Sequence, residues 1–262
     1  MFYTGLCSVT FRELSPQAIV EATVKAQIDA IEWGGDVHVP PGDAVLAAEV
    51  RRMTESAGLR VSSYGSYYRA GCFHGAEADF EAVLVSARSL GAPIIRVWAG
   101  DKGAAETDET RFRAIVEDVQ LMAARAEALG IDIAFEYHGN TLTDTPESAL
   151  RLLGEVNRAN VRCYWQSDNM RNVMDEIEAI GRLTPYLAHV HVFHYNGGHQ
   201  KPLAEGREEW NRYIRAFEGQ SRDFYLLLEF VRGGSVDQLV RDAATLKALV
   251  NGAASSDAVL DF

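Results

Sequence analysis

The sequence predicts one (β/α)₈ barrel of the TIM type, an α/β fold in a single domain. Three observations carry that prediction. Eight short apolar runs alternate with eight longer segments of 3.6-residue periodicity along the 262 residues. Parallel strands need helical crossovers, and eight strand–helix units in about 250 residues match a closed parallel barrel. An open dinucleotide-binding sheet would carry a glycine-rich phosphate loop after its first strand. Here the first strand runs into VTFRE at 9–13 instead.

Each unit has a local reason. The strand at 2–9 is followed by a helix at 16–26, which Ser15 caps and Pro16 opens in its first turn. The apolar run at 30–33 leads to a helix at 43–57, and the run at 60–64 to one at 78–90. The stretch 94–98 precedes the longest helix, 107–129, which ALG at 128–130 closes with a glycine just past its end. Strands at 131–136, 161–166, 187–192 and 224–229 lead in turn to helices at 146–156, 174–183, 208–217 and 236–250. No linker or composition break divides the chain, so residues 1–250 form one barrel domain. Residues 251–262 (NGAASSDAVLDF) are small and polar, a tail that is either loose or packed on a second copy in a homo-oligomer.

Composition narrows the function. A hydrophobic fraction of 47% supplies a sizeable core, and 24% charged residues with 22 glycines are ordinary for a globular chain. The net charge of −12 argues against a surface built to neutralise nucleic-acid phosphates. It leaves room for a small anionic substrate met by a few local arginines. Cys7, Cys72 and Cys163 are scattered, odd in number and without a CxxC pair, which suits free thiols in a reducing compartment. MFYTGLCSVTF has no basic segment ahead of a long apolar core, and no apolar run approaches the ~18 residues of a membrane span. A cytoplasmic protein with neither nucleic-acid nor membrane partner is expected.

Strand phase locates the candidate site. Alternate strand residues face the helices and the barrel interior, and the helix-facing ones must be apolar. In the fifth strand Ile133 and Phe135 take the helix side, which turns Ala134 and Glu136 inward. In the sixth, Val161, Cys163 and Trp165 face out and Arg162, Tyr164 and Gln166 face in. In the seventh, Ala188, Val190 and Val192 face the helices, leaving His189 and His191 inside. In the eighth, Leu226 and Leu228 face out and Leu227 and Glu229 face in. Glu136, Gln166, His191 and Glu229 therefore meet at the C-terminal rim, where barrel active sites lie. Two inward carboxylates repel unless a cation stands between them. An oxygen-rich set with one imidazole suits Mn²⁺ best, or Mg²⁺, with Co²⁺ and Zn²⁺ as further options. His189, one layer deeper, is expected as a buried support, and His199 as a loop residue without a role.

FEYH at 135–138, LTDTPE at 142–147, HVH at 189–191, PLAEG at 202–206 and LEF at 228–230 occur in this order and spacing. With them the chain resembles the xylose isomerase-like barrels of sugar isomerases and epimerases over essentially its whole length. The resemblance implies a divalent metal held by Glu, Asp, His and Glu from strands five to eight, with His191 the ligand of the paired-histidine motif. The sixth strand departs from that pattern. The slot directly after the strand holds Gln166, while Asp168 lies two residues farther on. Phase and spacing favour Gln166 as the fourth ligand; Asp168, with the expected charge, is its rival.

The resemblance implies an isomerase or epimerase acting on a ketose or keto-sugar derivative. A metal grips the carbonyl oxygen, and Glu136 and Glu229, as ligands and acid/base groups, move the proton on the adjacent carbon through an enediolate. The same start followed by β-elimination gives the lyase, or dehydratase, alternative. Candidate substrate contacts at the rim are His138, His194, Trp33, His38, Trp98, Arg69 and Lys201, with Glu32 beside Trp33 near the mouth; for the two tryptophans a core position is the competing reading. A DNA-repair endonuclease on the same barrel would need more His and Asp ligands and a basic face, and a non-catalytic sugar sensor would need no metal.

Overall fold

The strands β1 (Phe2–Cys7), β2 (Ala30–Gly34), β3 (Arg60–Arg69), β4 (Ile94–Trp98), β5 (Asp132–Phe135), β6 (Val161–Trp165), β7 (Leu187–Val192) and β10 (Phe224–Leu228) close into one parallel barrel. Its order is β1-β10-β7-β6-β5-β4-β3-β2, in a computed structural model that describes residues 1–72, 79–168, 171–219 and 222–256. The helices α1 (Pro16–Ala26), α2 (Ala44–Ser56), α3 (Phe80–Leu90), α4 (Glu109–Glu127), α5 (Pro146–Val156), α6 (Val173–Leu183), α7 (Arg207–Ala216) and α8 (Val236–Ser256) form the outer layer. The expected single α/β barrel is thus the fold. The first six helices open on Ser15, Asp43, Asp79, Asp108, Thr145 and Asn172, whose side chains each accept a first-turn amide that would otherwise lack a partner.

Three details depart from the sequence reading. The last helix runs on to Ser256, into the stretch expected as a tail, while 257–262, like the expected helix start at Ala78, lie outside the described residues. A short antiparallel hairpin, β8 (His194–Asn196) and β9 (His199–Lys201), stands on the rim after β7. Ala188 packs with Cys7, Ala134, Tyr164 and Leu227 in the barrel interior instead of facing a helix. Its reason is a register shift: Cys163 pairs with Leu187 but Trp165 with Val190, so β7 carries one extra residue between its two pairings.

Rim geometry follows from where the strands stop. β5, β6 and β10 end one residue before Glu136, Gln166 and Glu229. The amides of Glu136 and Glu229 still donate to Val97 and Val192 carbonyls at 3.0 Å, which pins both backbones to the neighbouring strand. Among the described residues no helix is long and apolar enough to cross a membrane.

Trp33 corrects an expectation. It is wholly buried in the helix-facing core and donates from Nε1 to Thr54 Oγ1 of α2 at 3.1 Å, so it is no platform at the mouth. Its neighbour Glu32 takes the inward phase in its place. Trp33→Ala is expected to cost about 3–5 kcal/mol in urea unfolding, as for other large core truncations. Calorimetric metal affinity of the folded variant is expected to stay at the parent value.

Candidate active site

At the centre of the rim His191, fully buried, faces carboxylates on both sides of its ring. On one side its Nδ1 lies 3.3 Å from Glu229 Oε2, 3.6 Å from Glu136 Oε1 and 3.1 Å from Gln166 Oε1. On the other its Nε2 lies 3.3 Å from Glu32 Oε1, without hydrogen-bond geometry. One donor atom each from Glu136, His191 and Glu229 fall within 4.8 Å of one another. The structure therefore brings together all four expected rim residues. Asp168 is turned elsewhere: its carboxylate is 42% exposed, with Oδ2 3.6 Å from Arg171 Nε.

Two buried residues organise the site from below: Glu32, expected only near the mouth, and Arg96, which sequence reasoning did not place there. Arg96 Nε donates to Glu32 Oε1 at 3.1 Å, and its other end donates to Glu136 Oε2. Trp98 Nε1 donates to that same Glu136 oxygen. Glu32 Oε2 accepts from Ser63 at 2.7 Å and Tyr164 at 2.8 Å. The signal was available, because Ile31 and Trp33 face the helices and so do Ile95 and Val97, which puts Glu32 and Arg96 inward by the phase rule used for strands five to eight. Strand β3 admits the guanidinium because residue 65 has no side chain: a Cβ there would stand 2.9 Å from an Arg96 terminal nitrogen and 3.0 Å from Glu32 Oε1.

The electrostatics follow from this packing. Burial alone would raise the Glu136 carboxyl, but Arg96 and His191 outweigh it and hold the group at about 2. Burial raises Glu229 to about 7; His191 opposes that rise and Glu136 adds to it. Burial would lower His191, yet the carboxylates of Glu229 and Glu32 on either side of the ring push it well above the usual histidine range. Three carboxylates, those of Glu32, Glu136 and Glu229, meet one guanidinium, so two negative charges are left uncompensated. Metal-free, the cluster meets that deficit with protons on His191 and Glu229.

A divalent cation meets it directly, and the donor set fits one: two carboxylate oxygens, an amide oxygen and an imidazole nitrogen. Glu229 Oε2, buried without a hydrogen-bond partner, points to the same place. Glu136, Gln166, His191 and Glu229 would hold the ion, with Glu32 behind the imidazole. A second grouping, Cys7 with Glu32 and His191, is a poorer candidate. Burial pushes the Cys7 thiol far up, so it stays neutral, and Glu32 is already occupied by Arg96, Ser63 and Tyr164.

A cleft of ≈ 270 Å³ opens beside Gln166, lined by Tyr137, His138, Ser167, Asp168, Phe193, Tyr195 and Phe230 among others. His138 lies at its edge, stacked on Trp98 with ring centroids 5.2 Å apart. Its Nδ1 lies 2.6 Å from the Gly139 carbonyl, which only accepts, so Nδ1 is the donor and Nε2 is turned away from that contact. Arg69 lies 4.0 Å over the Trp98 ring and donates to the Gly100 carbonyl, one contact removed from Glu136.

Three expected substrate contacts stand away from this cleft. His38 is buried with its Nδ1 3.0 Å from Ser8 Oγ, because the chain after β2 folds back under the loop that follows β1. His194 turns to Glu209 at the start of α7, since alternation in β8 gives the cleft side to Tyr195. Lys201 pairs with His194 in the hairpin and does not line the cleft. His189 is a buried support: it accepts from the Tyr225 amide, its Nε2 faces the Ser62 carbonyl, and burial depresses it to about 4.

A family model described as xylose isomerase-like TIM barrel matches residues 20–249. A 3-dehydroshikimate dehydratase of Bacillus anthracis is 26% identical over 206 residues, covering 66% of this chain and 70% of that protein. Among solved structures, a probable 3-DHS dehydratase involved in petrobactin synthesis from Bacillus anthracis matches with a TM-score of 0.77 at 20% identity, over 94% of this chain and 98% of that one. A D-psicose 3-epimerase from Clostridium cellulolyticum H10, solved with D-tagatose, matches with a TM-score of 0.68 at 18% identity, over 99% of this chain and 100% of that one. At such identities the two structural matches speak for the fold.

Two measurements test the cluster. Metal must displace the protons on Glu229 and His191, so affinity falls as pH drops; Mn²⁺ titrated by calorimetry is expected to bind at least about tenfold tighter at pH 8 than at pH 6. A pH-independent affinity would remove both residues from the ligand set. Gly65→Ala is expected to displace the guanidinium at a cost of about 1–3 kcal/mol in stability, in the range of other overpacked interiors. It is expected to weaken Mn²⁺ binding in the same titration.

Proposed function

The chain belongs to the xylose isomerase-like TIM barrel family, and on that premise we propose that it is a metal-dependent enzyme that removes a proton from the carbon next to a carbonyl in a small polyhydroxylated ketone. The observation that carries this reading is the convergence of Glu136, Gln166, His191 and Glu229 at the rim, two negative charges in excess, beside an open cleft. A divalent cation held there supplies Lewis acidity toward the negative charge that develops on the carbonyl oxygen. The chain's own groups do the rest. Glu229 takes the proton on the carboxylate oxygen that does not hold the ion. Glu136 is not equivalent to it, because Arg96 and Trp98 occupy its Oε2 and hold it as an ionised anchor.

That inequality favours elimination over epimerisation. Epimerisation needs a second group to return the proton on the opposite face, whereas elimination needs one base and a proton for the leaving hydroxyl. His138, at the cleft edge with Nε2 turned away from its own backbone contact, is placed to carry that proton once charged. The dehydratase reading is also supported by the 26% identity to a 3-dehydroshikimate dehydratase. Isomerisation or epimerisation of a ketose is the second reading, supported by the likeness of the whole barrel to a sugar epimerase.

The test is NMR in D₂O with the Mn²⁺-loaded protein on 3-dehydroshikimate and a ketose panel that includes D-tagatose. Elimination of water from the cyclic ketone is expected, abolished when metal is stripped. No exchange and no elimination across the panel would sink the reading. His138→Gln is expected to keep its metal, to retain deuterium exchange next to the carbonyl, and to slow elimination by about 10²–10⁴.

A further inference from the structure

Immediately after Glu229 the backbone of Phe230 lies in the left-handed region, at φ +53°. A bulky side chain there is a steric outlier, since its Cβ crowds the neighbouring peptide. The other non-glycine residues in this region among the described residues are Gln27, Asn140 and Asn157. Gln27 and Asn157 cap helices, where such a turn is ordinary, and asparagine tolerates the conformation. Phe230 does neither. Three residues on, the same loop uses Gly233 and Gly234 at its next two left-handed positions. The turn itself therefore calls for glycine at 230, and the fold gives no reason for an aromatic ring.

The ring's placement supplies one. The Glu229 amide is pinned to β7 and Val231 is buried, so the left-handed residue between them projects outward. Phe230 is 41% exposed and lines the cleft beside Gln166. It stands 5.9 Å from Phe193 and 6.4 Å from Tyr195, and those two are 5.7 Å apart. These three rings make one wall of the cleft, opposite in character to the polar residues His138, Ser167 and Asp168 that also line it. A ring-shaped ligand can lay an apolar face on aromatic side chains while its hydroxyls meet polar ones. An extended chain offers no such face.

Resting on the proposed metal-dependent chemistry, we propose that Phe230, with Phe193 and Tyr195, stacks on the ring of the substrate, and that the site selects a carbocyclic polyhydroxylated ketone over an open-chain ketose. Binding separates this proposal from the chemistry. Calorimetry on the Mn²⁺-loaded protein with 3-dehydroshikimate and with L-erythrulose, a ketose too short to close a stable ring, is expected to show tighter binding of the carbocycle. Phe230→Ala and Phe230→Gly are expected to weaken it about tenfold, with metal content unchanged and L-erythrulose binding altered less than about twofold. Phe230→Tyr, which keeps the ring, is expected to restore the affinity. Because Phe230→Gly relieves the left-handed strain, its thermal midpoint is expected to be no lower than that of Phe230→Ala. Equal affinity in the parent and the Ala and Gly variants, a preference for L-erythrulose, or no binding of either compound would overturn the proposal. So would parallel loss of metal and both ligands, which marks a structural role. A parent that binds the carbocycle through Phe230 but neither exchanges nor eliminates would leave the wall standing and overturn the chemistry instead.

Discussion

One buried guanidinium governs this barrel. Arg96 lies almost wholly out of water with a carboxylate at either end, Glu32 behind it and Glu136 at the rim. A lone buried cation is costly, the two carboxylates offset that cost, and each would be a liability without it. The geometry is correspondingly crowded: strand β3 gives up a side chain at Gly65, and Ser63 and Tyr164 fill the remaining acceptor sites on Glu32. What reaches the rim is a carboxylate whose position and charge are set by packing on the strands beneath it.

This anchoring divides the labour between two residues that look equivalent in sequence. Glu136 and Glu229 each follow a barrel strand with the same phase, and each has its amide tied to the next strand. Their side chains meet different surroundings. Arg96 and Trp98 converge on one, while Oε2 of the other is buried without a hydrogen-bond partner, 3.3 Å from His191 Nδ1. In the proposed chemistry a pair made unequal in this way has one member to hold and the other to react, the general pattern by which one site separates two carboxylate roles.

The barrel and its four rim residues were legible because both rest on period-two alternation, which survives in the sequence as apolar residues on one face of each strand. Glu32 and Arg96 obey the same rule, but each strand alone shows only that its charge points inward, and only pairing across the barrel shows that the two charges meet. The hairpin after β7 left a usable trace in Gly197-Gly198 between HYN and HQK, a two-residue turn flanked by short strands. The inward turn of Ala188 left none, because a bulge is a property of two strands and not of one. Nor did the left-handed backbone at Phe230, since nothing in an aromatic residue announces a positive φ.

Charge explains why a glutamine suits the sixth strand. With Glu32, Glu136 and Glu229 facing Arg96, the cluster already holds two negative charges in excess, the number one divalent cation cancels. An aspartate at residue 166 would add a third buried charge that no group nearby opposes. The amide of Gln166 offers an oxygen 3.1 Å from His191 Nδ1 without that cost. Asp168, two residues on, keeps its charge where water and Arg171 screen it. The neutral amide at residue 166 and the buried arginine are thus two halves of one electrostatic solution: Glu32 brings the negative charge that Arg96 needs, and residue 166 is left free to carry none.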